Sequence, residues 1–253
     1  MAKPLSEQSV LIPGGTSGIG LACARAFLDA GAQVRLIGRS PERGLGAVAE
    51  LGGDVGFIAA DCAEPDEVEE AFADAADQMG GIDTLICTLG GTRLPDLLFN
   101  WSLQDIQRAV NHDLAPFLYC GRAALPHMME GGGGAVINVA SDAGKVATPG
   151  EAVIGAGMAA IIQFTRGLAI EGKRNGIRAN TLTPSLVEGT PLTDRLMEEG
   201  RFSAKLFAKA RPMAHLGATY PEDLAAMAVF LASPQAAKVT GQAISVNGGI
   251  SAA

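Results

Sequence analysis

Residues 9–20, Ser-Val-Leu-Ile-Pro-Gly-Gly-Thr-Ser-Gly-Ile-Gly, constrain this chain more than any other stretch. Val10 to Ile12 is a short apolar run of the kind that forms a buried parallel strand. Gly14, Gly18 and Gly20 follow, and then Leu21, Ala22, Ala24, Ala26, Phe27 and Leu28 make the broad apolar face of a helix. Strand, glycine-rich turn and helix in that order set free N–H groups and the positive end of a helix dipole where a phosphate can sit. Glycine is needed because the turn is tight and the backbone must approach the ligand closely. In a chain with 33 glycines the spacing alone says little; its place at the first strand-to-helix turn gives it meaning.

Size and charge bound the rest. A length of 253 residues suits one large α/β domain, and 48% hydrophobic against 18% charged residues calls for a large core. Nineteen basic and 27 acidic residues give a net charge of −8, with no basic cluster, which argues against nucleic acid or an anionic membrane as partner. Cys23, Cys62, Cys87 and Cys120 form no C-x-x-C pair and read as buried thiols of the cytoplasm; no metal site is expected. No apolar leader opens the chain, and Ala152 to Thr165 reads as too short and too glycine-rich to span a bilayer, so a soluble cytoplasmic protein is expected.

Past the glycine turn, strand-like and helix-like segments alternate. Strands are expected at Gln33–Ile37, Val55–Ala59, Thr84–Cys87, Ala135–Ala140, Arg178–Leu182 and Ala243–Val246. Helices are expected at Glu42–Leu51, Pro65–Met79, Glu151–Glu171 and Glu222–Leu231. Ser102–Met129 is long enough for one extended helix, with Pro116 and Pro126 as kinks. Residues 184–215 mix proline, glycine and both polarities, as a mobile lid over a site would. About seven strands separated by helices, without a linker or repeat, predict a single α/β domain over residues 1–253. Its core would be a doubly wound parallel sheet with helices on both faces.

Gly38 and Arg39 end the second strand, where such sheets hold the ribose. An acidic residue there binds the 2′-OH of NAD, whereas an arginine accepts the 2′-phosphate of NADP. Arg39 therefore points to NADP, with NAD the lesser expectation.

Further segments extend the pattern: Gly14-Gly15-Thr16-Ser17-Gly18-Ile19-Gly20, Asp61, Ile82-Asp83-Thr84-Leu85-Ile86, Asn111 and Ile137-Asn138-Val139-Ala140-Ser141. Ile177-Arg178-Ala179-Asn180 with Pro184, and Thr240-Gly241-Gln242 with Val246-Asn247-Gly248-Gly249, complete it. In this order, over nearly the full length, the chain resembles the short-chain dehydrogenase/reductase family. The resemblance implies a Rossmann-type domain with a dinucleotide across the carboxyl ends of the strands. The dinucleotide would touch Thr16, Ser17 and Ile19 in the turn, Asp61 and Cys62 near the adenine, Gly90 near the ribose, and Val187 and Thr190 near the nicotinamide. A homodimer or homotetramer built on the two long helices is implied as well.

The family's chemistry uses a tyrosine as proton donor, a lysine after it, an upstream serine and an asparagine in the long helix. Ser141 and Asn111 match the last two, but counting from Ser141 lands on Ile154 for the tyrosine and Met158 for the lysine. Neither carries a transferable proton, and a positioned acid or base is worth roughly 10²–10⁴ in rate. Cys87-Thr88-Leu89-Gly90 stands for the usual Asn-Asn-Ala-Gly, Pro184-Ser185 for Pro-Gly, and Pro13 for a common threonine. The expectation is thus an NADP(H)-binding protein with Tyr/Lys-dependent ketoreductase chemistry disabled. An atypical NADP-dependent oxidoreductase using Ser141, Asn111 and another proton donor is one alternative, and a non-redox lyase or isomerase is another. His112, Asp142, Lys145, Glu151, Glu188 and His215 are the candidate donors. Leu94, Leu97, Leu98, Leu186, Leu192, Leu196, Met197 and Phe202 in the surrounding loops point to an apolar small-molecule ligand.

Overall fold

The computed structural model describes residues 3–91 and 93–253. Its strands are β1 (Ser9–Pro13), β2 (Gln33–Gly38), β3 (Val55–Ala59), β4 (Thr84–Cys87), β5 (Gly134–Val139), β6 (Ile177–Thr183) and β7 (Ala243–Ser245). They form one seven-stranded parallel sheet in the order β3-β2-β1-β4-β5-β6-β7. The order reverses direction between β1 and β4, and a crevice opens at such a switch point, outside the carboxyl ends of the strands.

The helices are α1 (Gly18–Asp29), α2 (Pro41–Leu51), α3 (Pro65–Met79), α4 (Leu103–Ala109), α5 (Ala115–Glu130), α6 (Ala152–Gly172), α7 (Pro191–Leu196), α8 (Phe202–Ala210) and α9 (Pro221–Ala232). One face of the sheet packs on α1, α2 and α9 through Cys23, Phe27, Ala47, Leu224 and Leu231. The other packs on α3, α5 and α6 through Val68, Phe72, Phe117, Met128 and Ile161. Phe27, Phe72 and Phe117 are fully buried, each worth about 2–3 kcal/mol of hydrophobic stabilisation. Every residue of β1 and β4 is buried, as an apolar strand between two helical layers requires.

Two expectations are corrected. Ser102–Met129 is not one regular helix: α4 and α5 are joined by a π-helical turn, Val110–Leu114, and Pro116, expected as a kink, follows that turn directly. Residues 184–215 are largely folded, holding α7, α8 and a 3₁₀ turn over Arg211–Met213. A separate cluster of Leu186, Leu196 and Phe207 packs within this segment, joined by the Ser203 hydroxyl, which donates to the Leu196 carbonyl at 2.8 Å.

Helix α6 with its final turn spans 24 residues, Ala152–Asn175, at a mean hydropathy of 1.6, so its length and composition would suffice to cross a membrane. The sequence expectation considered only its uncharged half. A third of the most apolar window is buried inside the chain, and Ala156, Ala159, Gln163, Arg166 and Ile170 face outward. The inner face is pinned to β5: the Asn138 amide donates to Thr165 Oγ1 at 2.9 Å, and that hydroxyl donates to the Ile161 carbonyl at 2.8 Å. This link fixes the register of residues 154 and 158 against the end of β5.

Candidate active site

The first turn is built as its glycines demand. Gly14 has φ +83°, and a side chain there would press on the Thr88 carbonyl at 2.7 Å. A Cβ on Gly20 would lie 2.5 Å from both the Gly14 carbonyl and the Thr88 hydroxyl. Pro13 has no N–H to give, but its carbonyl accepts from the Thr88 N–H at 3.0 Å and from the Thr88 hydroxyl at 3.1 Å, tying β1 to β4. Ser17 precedes α1 without capping it, so the first N–H groups of the helix remain available to a ligand.

At the far end of this turn Thr16 packs against Gly38: a Cβ on Gly38 would meet Thr16 Cγ2 at 3.3 Å. Arg39 is exposed, and its guanidinium stands 3.8 Å from the Asp61 carboxylate. An exposed pair of this kind contributes little to stability and leaves the arginine free to turn to another anion. Asp61 also accepts from the Ala63 N–H at 3.0 Å. Cys62 is buried, and its thiol pairs with Cys120, which together with burial pushes its pKa up and leaves it inert.

From the glycine turn a cavity of about 600 Å³ runs along the carboxyl edge of the sheet, within the range of small-molecule sites. Gly14, Ser17, Gly18, Ile19 and Gly20 line it, together with Gly90, Ser141, Ile154, Met158, Val187 and Thr190. A Cβ on Gly90 would meet nothing within 4 Å, so the backbone there borders open space that a ribose can enter. Thr190 also packs beside Gly18, but its hydroxyl is committed: it donates to the Val187 carbonyl at 3.2 Å and accepts from the Thr193 N–H at 3.1 Å. Ser141 Oγ accepts from the Ala143 N–H at 3.2 Å, which leaves its proton to be directed at a ligand. The cradle therefore suits a dinucleotide, while Thr16, Arg39, Asp61 and Cys62 lie outside the cavity lining.

Asn111 does not join this group. It is exposed and off the cavity wall: Ile106, Ala109, Val110, Asp113 and Leu114 present the lining face, and Asn111 falls outside it. Asp113, from the same turn, lines the cavity instead. Leu94, Leu98, Leu192 and Leu196 line it as expected, whereas Leu97, Leu186, Met197 and Phe202 do not; Phe202 packs over Gly150, and Phe207 takes the place at the wall.

Three side chains on the wall are charged or titratable among the described residues: Arg93, Asp113 and Glu151. Arg93 lies 4.7 Å over the Trp101 ring and pairs with Asp105 at 2.7 Å, while its Nε is buried without a partner. The aromatic partner of Arg93 is the chain's single tryptophan. Glu151 has its carboxyl pKa pushed up to about 7, chiefly by burial and further by Asp142, against a hydrogen bond to Thr148. The other candidates are engaged or off the wall: the Asp142 carboxylate is buried and accepts from Asn247 at 3.2 Å, Lys145 donates to Ser245, and Glu188 pairs with Arg211 at 2.7 Å. His112 and His215 do not line the cavity.

A family model described as Enoyl-(Acyl carrier protein) reductase matches residues 14–251. The chain belongs to the short-chain dehydrogenase/reductase family. Among its relatives in this family, a 3-oxoacyl-(acyl-carrier-protein) reductase of Chlamydia pneumoniae is 33% identical over 97% of this chain and 98% of its own length. A 2-dehydro-3-deoxy-L-rhamnonate dehydrogenase (NAD(+)) of Sphingomonas is 30% identical over 94% of this chain and 93% of its own. Of solved structures, a short-chain type dehydrogenase/reductase from Mycobacterium ulcerans superposes with a TM-score of 0.88 at 28% identity, covering 96% of this chain and 89% of that one. The 3-ketoacyl-(acyl-carrier-protein) reductase from Brucella melitensis, complexed with NADH, gives 0.86 at 30% identity, covering 96% and 98%.

Proposed function

We propose that this member of the family binds NADP(H) along the crevice and has lost the ordinary tyrosine/lysine route of ketoreduction. The observation that carries the reading is the pairing of a complete glycine turn with Ile154 and Met158 on the same cavity wall as Ser141. When bound, the cofactor supplies or accepts a hydride at its nicotinamide. The residues of this chain then have defined tasks: the α1 N-terminus and the glycine turn hold the pyrophosphate, and Arg39 takes the 2′-phosphate. Ser141 orients a substrate oxygen, and the leucines around it exclude water. Asn111, exposed, has no part in proton relay. The relatives include an NAD(+) dehydrogenase and a structure with NADH, so the choice of NADP rests on Arg39 alone.

A second reading, an atypical oxidoreductase with a substitute proton donor, is favoured by the perturbed carboxyl of Glu151 on the cavity wall. The ligand is a small, largely apolar molecule, matching the leucine-rich lining. The outward face of α6, with Ala156, Ala159 and Ile170, is where we place a second copy of the chain, in a cytoplasmic homodimer or homotetramer. Calorimetric titration with NADPH and with NADH tests the cofactor assignment. Micromolar NADPH affinity, weaker NADH affinity, and a roughly tenfold loss for NADPH alone in Arg39→Ser are expected, the last worth about 1.4 kcal/mol. No binding of either nucleotide overturns the reading.

A further inference from the structure

Glu151 occupies the N-cap position of α6, one turn ahead of Ile154. A carboxylate there ordinarily accepts from the first N–H groups of the helix, which would make it a purely structural residue. Its side chain makes no such bond. Instead it lines the cavity that Ser141 and Ile154 also line.

We propose that Glu151 gives a proton to, and takes it from, the substrate oxygen in this cavity, replacing the tyrosine that position 154 lacks. The assignment rests on the NADP(H) reading above and deepens it. Among described cavity-lining residues, Glu151 and Asp113 are the carboxylic acids. Glu151 is the one on the element that carries positions 154 and 158. Its surroundings suit proton transfer near neutrality: burial and the negative Asp142 favour the protonated acid, and Thr148 opposes them. Lys145, the nearest cation in sequence, is turned to Ser245, and Arg93 is paired with Asp105.

The step balances with the cofactor class already named. In reduction, a dihydronicotinamide gives hydride to the carbonyl carbon and the π pair moves onto oxygen. The oxygen takes the Glu151 proton, leaving an alcohol, the oxidised cofactor and a carboxylate that regains a proton from water.

The test uses the full chain loaded with NADPH, with trifluoroacetophenone and a vicinal diketone as probe substrates. It compares the wild type with Glu151→Gln, Glu151→Asp and Asp113→Asn. The wild-type rate of NADPH oxidation should fall as pH rises through about 7, following the carboxyl. Glu151→Gln should lose about 100-fold or more and flatten the profile, while its NADPH Kd stays within about threefold. Glu151→Asp should recover part of the rate and keep a pH dependence. Independently of turnover, ¹³C spectra of glutamate-labelled protein should show one carboxyl titrating near 7 that is absent from Glu151→Gln.

Full activity in Glu151→Gln, or loss confined to Asp113→Asn, overturns the assignment. So does the absence of that carboxyl titration. A wild type that binds NADPH yet reduces neither probe also overturns it and leaves the cofactor reading standing. Failure to bind NADPH and NADH removes the cofactor reading itself.

Discussion

At the β1–α1 turn the demands fall on the backbone. Gly14 and Gly20 leave no room for a side chain, and the Pro13 carbonyl is held by two bonds from Thr88. At the start of α6, along the same crevice, the demands of chemistry would fall on side chains, and there Ile154 and Met158 line the wall. A backbone requirement is enforced by sterics, because violating it collapses the turn. A side-chain requirement is enforced only by function, and an apolar replacement packs well enough to keep the fold. The two ends of one cavity can therefore diverge without any loss of architecture.

The largest way to break this contrast is at the glycine end. Gly20→Ala puts a methyl group 2.5 Å from a backbone carbonyl, and should destabilise the protein by about 2 kcal/mol in denaturant unfolding and weaken NADPH by 100-fold or more. The buried link that sets the α6 register comes next. Asn138→Ala removes the bond across to the Thr165 hydroxyl, which keeps its bond to the Ile161 carbonyl, and should cost about 1–3 kcal/mol by the same assay.

A smaller effect isolates Glu151. Its folded pKa, pushed up to about 7, lies above the ordinary glutamate value of 4.5, so its contribution to stability is full below about 4.5 and is lost as pH rises through 7. Glu151→Gln removes the penalty on the charged form. Its Tm should exceed that of the wild type by roughly 5 °C at pH 8 and match it near pH 4. Smallest of all, Asn111→Ala should leave NADPH affinity unchanged within twofold and Tm within about 1 °C, since the side chain is exposed.

Much of the fold was legible from local signals. Pro65 opens α3, and Gly80, in the left-handed conformation, closes it, so both ends could be read directly. Apolar runs such as Leu85 and Ile86 marked strands buried on both faces. The π-helical turn escaped because its residues, Val-Asn-His-Asp-Leu, fit an α-helix as well; the extra residue shows only once the turn is packed. Asp113, not Asn111, stands on the cavity wall. Residues 184–215 looked loop-like by composition, yet three buried apolar side chains, Leu186, Leu196 and Phe207, were enough to fold α7 and α8 against each other. Glu151 was visible as a candidate donor at the start of a helix; the missing cap bond and the shared cavity wall appear only in the structure.

The most direct measurement is NADPH-dependent reduction of trifluoroacetophenone by the double variant Ile154→Tyr with Met158→Lys, beside the wild type, with NADPH affinity recorded for both. If the nucleotide end is intact and positions 154 and 158 are where the chemistry was lost, the variant binds NADPH at least as tightly. It should then reduce the ketone about 100-fold faster than the wild type. A variant that folds, binds NADPH and gains nothing contradicts the account.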